Sequence, residues 1–246
     1  MIMAYLHTVE FQIRHYECDP RRQLHAPVLL GYLQEAAFAG SAAVGYSAHR
    51  YQAIGFQWFA YETEVELHAP LHYGDRLTVR TWVHDFRRVR SLRQYEVFRD
   101  GIEVARASTD WVFINAQTLY PSAIPPEIVS AYSLGEPVAA GEPRPPFPKF
   151  PEVPSTAFQM TRRVEGRDLD PAGHVNNATY LAYLLEAHRL AGGGDQRLVK
   201  LQIEYKQAAL QDDLLTVQVW QAEDQVCGVI HRDQKLITRA VLRLTI

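Results

Sequence analysis

Asp168-Leu169-Asp170-Pro171-Ala172-Gly173-His174-Val175-Asn176-Asn177-Ala178-Thr179-Tyr180 is the stretch on which the reading of this chain turns. Acid, imidazole and carboxamide side chains fall close together in it, and a helix-like run follows. Asp170 and His174 stand four residues apart across a Pro-Ala-Gly turn. That spacing suits a loop folding over the start of a helix.

Outward from this loop the pattern is regular. Helical periodicity covers 176–191 and stops at Gly192-Gly193-Gly194. A short strand is expected at 158–164, a polar loop at 166–173, and strands at 198–205, 214–220, 227–232 and 235–246. The same order occurs earlier. Residues 8–15 alternate, 16–23 are polar, and 27–45 read as a helix with Pro27 in its first turn and Gly45 at its end. Its small residues predict tight burial against a sheet. Strands are expected at 56–67, 76–85, 91–98 and 103–114, the last two joined by a hairpin at Asp100-Gly101.

The two sections superpose without a gap through loop and helix. Asp19-Pro20 falls on Asp170-Pro171, Arg22 on Gly173, Gln23 on His174, and His25 on Asn176. Tyr32 falls on Tyr183, and Glu35-Ala36 on Glu186-Ala187. In both sections the aspartate precedes the glutamate by sixteen positions. This is an internal repeat of an α+β unit, two copies of one fold rather than a solenoid. Ten of the fourteen prolines lie between 121 and 154, so no regular element is expected there. The expected organisation is a domain at 1–120, a proline-rich linker at 121–154 and a second domain at 155–246.

With 246 residues, 47% of them hydrophobic, and a net charge of −3, the chain can bury a sizeable core and carries no dominant basic field. No nucleic-acid role is expected. Charges break every apolar run short of a span, so no membrane association is expected. The N-terminal residues lack a basic region followed by an apolar one, so no leader is expected. The two cysteines, Cys18 and Cys227, form no metal-like or redox spacing. The expectation is a cytoplasmic protein without cofactor or metal.

The run Asp-x-x-x-His-Val-Asn-Asn-x-x-Tyr-x-x-Tyr-x-x-Glu-Ala from Asp170, on a helix beside an antiparallel sheet, resembles the hotdog-fold thioesterases. Two copies joined by a proline-rich bridge resemble the acyl-acyl-carrier-protein thioesterases of plants and bacteria. Phe11–Glu17 leading to Leu33–Ala37, then Arg106–Val112 and Ile203–Tyr205, are similar to the same family. The resemblance implies a tandem hotdog that hydrolyses fatty acyl thioesters in fatty acid biosynthesis. It places the catalytic loop in the second copy and acyl-chain selection in the first. The implied partner is acyl carrier protein; acyl-coenzyme A is the alternative carrier, and a non-catalytic acyl-thioester binder is a further reading. An edge-to-edge homodimer is one expected assembly and a monomer the other. The family's network has an Asn where this chain has Ala172, and a strand Glu where it has Ala208.

Thioester hydrolysis needs an activated water or a nucleophile, and donors for the oxyanion. Asp170 is the candidate base or nucleophile, and His174 the residue that orients water or thioester. Asn176 and Asn177 open the helix, where free N–H groups can polarise a carbonyl. Tyr180 is expected at the substrate. The plain alternative is that Asp170 and Asn176 only cap a turn and a helix. Glu35 sits on the buried-looking first helix, and by the resemblance it could face the loop of the other copy as a second carboxylate; its alternative is structural. Asp19 is a second site or, preferably, a relic turn, and Cys18 is preferably a structural thiol. Arg87, Arg88, Arg90, Arg93 and Arg99 form either a basic rim, with Arg88 and Arg90 meeting the carrier, or a solvated strand face. Trp58, in the aromatic run 56–61, lines an acyl tunnel or ordinary core.

Overall fold

The computed structural model describes residues 2–138, 146–194 and 196–245. The chain divides into two compact units. The first comprises Met1–His25, Gly31–Thr63 and His68–Arg144; the second comprises Ala26–Leu30, Glu64–Leu67 and Pro145–Ile246.

The first unit holds β1 (Ile2–Ala4), β2 (His7–Gln12), most of α1 (Ala26–Ala43), α2 (Ala48–Ala53) and most of β3 (Phe56–Leu67). It continues with β4 (Arg76–Arg87), β5 (Arg90–Arg99), β6 (Ile102–Asn115), α3 (Pro126–Ser133) and β7 (Glu136–Val138). Its main sheet runs in the order β2-β4-β5-β6-β3, with the β2–β4, β4–β5 and β5–β6 pairs antiparallel. The β5–β6 turn has both Asp100 (φ 52°) and Gly101 (φ 76°) in the left-handed region. That is the hairpin geometry whose twist matches its strands. One face of the sheet carries a cluster of Tyr51, Val83, Phe113, Ile128 and Tyr132, with Trp58 packed on it. On the other face Ala4 and Leu6 cover Trp82, and β1 pairs with β7.

The second unit holds β8 (Phe158–Arg163), α4 (Asn177–His188), β9 (Arg197–Tyr205), β10 (Leu214–Ala222), β11 (Gln225–Arg232) and β12 (Lys235–Thr245). Its sheet order is β9-β12-β11-β10-β8, antiparallel throughout. Helix α4 packs on β8, β10 and β11. It comes so close that a Cβ on Gly228 would stand 2.6 Å from Leu184 Cδ2, so a larger residue there requires the Leu184 side chain to shift. Because side chains alternate along a strand, Trp220, Cys227, Val229 and Val241 point to the opposite face. Phe147 and Phe150 cover them, with the Phe150 ring 5.7 Å from Trp220 and edge-on to it. The Arg239 guanidinium lies 4.6 Å from the Phe147 ring. Each ring, partly buried this way, stabilises the fold by about 1 kcal/mol.

The long helices and the strands fall close to their expected positions. The proline-rich segment differs from expectation: α3 and β7 form inside it, and Ile128 and Tyr132 enter the first unit's core. The reason lies in where the prolines fall. Pro125 is the N-cap of α3 and Pro126 its first residue, where a missing N–H costs nothing. Pro143 and Pro145 lie outside the described residues. The short helix α2, capped by Ser47 through the Arg50 N–H, is a further element that periodicity does not reveal.

Candidate active site

The quoted loop is built by its own backbone. A 3-10 turn at Gly166–Asp168 is closed by the Asp168 carboxylate, which accepts the Glu165 N–H at 2.8 Å. The same carboxylate is buried and accepts the Tyr183 hydroxyl from α4 at 2.7 Å. Burial, and then this bond, push the Tyr183 hydroxyl's pKa upward, so it stays a donor. The Asp168 carbonyl accepts the Asn176 N–H at 2.9 Å, fixing the entry to α4.

Between these anchors the chain makes a tight turn. Asp170 N–H donates to the His174 carbonyl at 2.8 Å, and Gly173 N–H to the Asp170 carbonyl at 2.9 Å. Gly173 adopts φ 79°, the left-handed conformation that glycine takes without penalty. Asp170 Oδ1 accepts the N–H of Ala172 at 2.9 Å and of His174 at 3.4 Å. Among the described residues, Asp170 Oδ2 has no hydrogen-bond partner. Asn176 is the N-cap of α4, its Oδ1 accepting the Ala178 N–H at 2.9 Å. The Asn177 N–H, next along, has no acceptor among the described residues.

Tyr180 ties this loop to the strand end. Its hydroxyl accepts the Ala209 N–H at 2.9 Å, while Val175 N–H donates to the Ala209 carbonyl at 3.0 Å. Burial pushes the Tyr180 hydroxyl up to about 12; the Ala209 N–H opposes this and the nearby Asp170 charge adds to it. Tyr180 is therefore a buried brace at the site. Ala208 is half-buried beside it.

The first unit repeats the acid–tyrosine contact and the aspartate turn, but not the side-chain N-cap or the tyrosine brace. Glu17 stands for Asp168, accepting the Arg14 N–H at 2.7 Å and the Tyr32 hydroxyl at 2.5 Å. Asp19 Oδ1 accepts the N–H groups of Arg21 and Gln23, both at 2.9 Å. Arg22 holds the left-handed position at φ 65°. The difference is Arg21, whose guanidinium grips Asp19 Oδ2 at 2.9 and 3.0 Å. Burial raises the Asp19 carboxyl, but the Gln23 N–H and the Arg21 guanidinium outweigh it and hold it below the usual range. Both oxygens of Asp19 are occupied. Beside it, burial and the Asp19 and Glu17 charges push the Cys18 thiol up, away from the thiolate form.

The other expected site residues lie as follows. Asp170, His174, Asn176, Asn177 and Tyr180 share the second unit's loop and helix start. Glu35 lies on the exposed face of α1, although Ala36 and Ala37 next to it are buried. The helix is buried, as expected, but the helical period turns this side chain outward. Glu186 is likewise exposed and paired with Arg189 at 2.7 and 2.9 Å. Trp58 is half-buried with its ring 4.8 Å from Phe113. Arg88 is exposed at the β4–β5 turn, whereas Arg90 is paired with Asp110 and lies 4.4 Å from the Tyr61 ring. The expected basic rim is broken up. Arg87 pairs with Asp85, Arg99 sits at the far end of β5 on Asp75, and Arg93 is buried. Alternation along β5 sends Arg90 and Arg93 to opposite faces, and Arg87 lies on β4.

Two functional supports escape a reading by motif, namely the Asp168–Tyr183 pair and the Tyr180–Ala209 brace. The first has a signal in the sequence, an acid and a tyrosine fifteen positions apart in both copies.

Models of the acyl-ACP thioesterase N-terminal domain and C-terminal domain match residues 4–132 and 154–239 respectively. Oleoyl-acyl carrier protein thioesterase 1, chloroplastic, of Arabidopsis thaliana is 23% identical over 225 residues, covering 84% of this chain and 61% of that protein. A palmitoyl-acyl carrier protein thioesterase of the same plant is 27% identical over 218 residues, covering 83% and 52%. The chain thus spans between about half and three fifths of the length of these curated relatives. Among solved structures, the 12:0-ACP thioesterase from Umbellularia californica matches with a TM-score of 0.84 at 21% identity, over 99% of this chain and 98% of that one. An acyl-ACP thioesterase from Bacteroides thetaiotaomicron matches with a TM-score of 0.84 at 20% identity, over 98% of each. The fold is the expected tandem hotdog, and with the two domain models matching most of the sequence, the chain belongs to the acyl-ACP thioesterase family.

Proposed function

We propose that this protein hydrolyses fatty acyl thioesters of acyl carrier protein, releasing a free fatty acid and the carrier thiol. Membership of the family supports the substrate class. The observation that carries the chemistry is the open Oδ2 of Asp170, held in place by two backbone bonds to its other oxygen. In this reading Oδ2 takes a proton from a water molecule as the water oxygen attacks the thioester carbon. The C=O π electrons move to oxygen, and the Asn177 N–H at the positive end of α4 stabilises that oxyanion. The tetrahedral intermediate then collapses, the C–S bond breaks, and the proton held by Asp170 returns to the departing thiolate. His174 orients the water, and Asn176 and Tyr180 keep the helix start and strand end in register. Within the first unit, Trp58 and its aromatic neighbours offer an apolar surface suited to an acyl chain, and Arg88 meets the carrier.

Incubation with acyl carrier thioesters should yield free fatty acid, and Asp170→Asn should remove that activity without lowering the Tm. Unchanged turnover in the variant would refute the assignment of Asp170. Comparing kcat/KM for one acyl chain on acyl carrier protein and on coenzyme A separates the two carriers. Ala172 and Ala208, at positions where polar partners are expected, favour a second reading as a binder. Tight binding with no hydrolysis at high protein concentration would select it.

A further inference from the structure

Among the described residues, Arg93 on β5 is a cation with no carboxylate paired to it. It is 5% exposed. Its Nη1 reaches Thr81 Oγ1 at 3.3 Å and its Nη2 reaches Ser41 Oγ at 3.3 Å. Its guanidinium lies 5.7 Å from the Tyr132 ring. No carboxylate pairs with it among the described residues. A guanidinium has five N–H donors; two are used here, and both bonds are long for a charge-assisted contact. The contrast within the same unit is sharp. Buried Glu17 has Tyr32 and Arg14, and buried Asp110 has Arg90. Burying one charge without its opposite is costly, so such a group is kept where something else supplies the partner.

Three groups that feel this charge are an imidazole and two phenols. Burial, and then Arg93, hold the His7 imidazole below its usual value. Burial raises the hydroxyls of Tyr51 and Tyr95, with Arg93 pulling the other way. The surroundings are also apolar. Across β4 the strand partner of Arg93 is Val83, which belongs to the cluster with Tyr51, Phe113 and Tyr132. Helix α1 closes over the group at Gly40, where a Cβ would stand 3.2 Å from Nη1. A lone cation with two hydroxyls, set into an aromatic compartment, matches a ligand that is apolar along its length and carries an anionic oxygen at its end.

We propose that Arg93, Ser41 and Thr81 form a receiving site for an anionic oxygen, supplied by the far end of an acyl chain that terminates in a carboxylate rather than a methyl group. The acyl chain rests on the proposed function; the anion site does not. A free small anion offers the same chemistry, and the test separates the two sources.

Calorimetric binding to the full chain tests this without any hydrolysis. The probes are the monomethyl ester of dodecanedioic acid and methyl dodecanoate, equal in chain length and differing in the far carboxylate. The unaltered protein should bind the acid-ended ester at least about tenfold more tightly. That preference should vanish in Arg93→Met, persist in Arg93→Lys, and weaken about threefold in Thr81→Val, which serves if the Met variant does not fold. Equal binding of the two esters to the unaltered protein overturns the proposal. A rise in Tm with sodium bromide that depends on Arg93, without any preference between the esters, gives the site to a free anion and overturns the acyl end. Absence of thioester hydrolysis would refute the proposed function and leave the ester comparison standing.

Discussion

The loops at Asp19 and Asp170 share one backbone design, yet only one of them leaves a carboxylate oxygen free. Each aspartate accepts two N–H groups from the turn that follows it. Each turn is pinned to its long helix by a buried acid and a tyrosine. Each acid further along, Asp75 and Asp213, clamps the next turn and takes an arginine, Arg99 and Arg232. The two copies part at single side chains. Arg21 occupies the outer oxygen of Asp19, whereas its counterpart Ala172 cannot reach Asp170. Gln23 and His25 stand where the second copy has His174 and Asn176. A carboxylate's availability is thus set by one neighbour two residues away, on a scaffold that holds both loops equally well.

The largest test of this difference is the pair Asp170→Asn and Asp19→Asn. The first should lower kcat by at least about a hundredfold, the range for a lost general base, and the second should leave it within about twofold. Equal losses from the two would erase the distinction between the copies. Next, Ala172→Arg places the Arg21 grip on Asp170. It should reduce kcat about tenfold or more while leaving chemical unfolding unchanged. Tyr183→Phe and Tyr32→Phe each strip a donor from a buried acid and should cost about 1–3 kcal/mol by denaturant titration. Only Tyr183→Phe should also lower kcat, because only its loop carries the proposed base.

Smaller effects sharpen the comparison at the helix starts. Asn176→Ala removes an N-cap bond and should cost about 1 kcal/mol. His25 caps α1 without a side-chain bond, so His25→Asn should gain a few tenths to about 1 kcal/mol in the same titration. The smallest effect is pH-dependent. Asp19 has a folded pKa below its unfolded value, so it stabilises the protein above about pH 4 and loses that contribution as pH falls through the folded pKa. Arg21→Ala should therefore be less stable than the parent by tenths of a kcal/mol at neutral pH, and match it at low pH.

Much of the fold was legible because each strand announces itself by alternation and the repeat checks one copy against the other. The β5–β6 hairpin followed from Asp100-Gly101, and the start of the long helix from Pro27. What stayed hidden depends on position rather than composition. Proline density argued against α3, yet Pro125 and Pro126 fall at its cap and first turn. Glu35 looked buried because α1 is buried, and only the phase of the helix shows that it points out. At the site, the turn around Asp170 could be read from spacing. The freedom of Oδ2 could not, since it follows from the reach of residue 172, and the Tyr180–Ala209 brace joins residues 29 apart.

The packing of Phe147 and Phe150 on Trp220 bears on where this chain can be cut. Composition alone would start the second copy near residue 155. A fragment beginning there loses both rings and uncovers part of the patch formed by Trp220, Cys227, Val229 and Val241, on the face of the sheet away from α4. The residues just ahead of β8 are part of what lets that half exist as a folded body. A fragment meant to report on the Asp170 loop by itself has to begin ahead of Phe147.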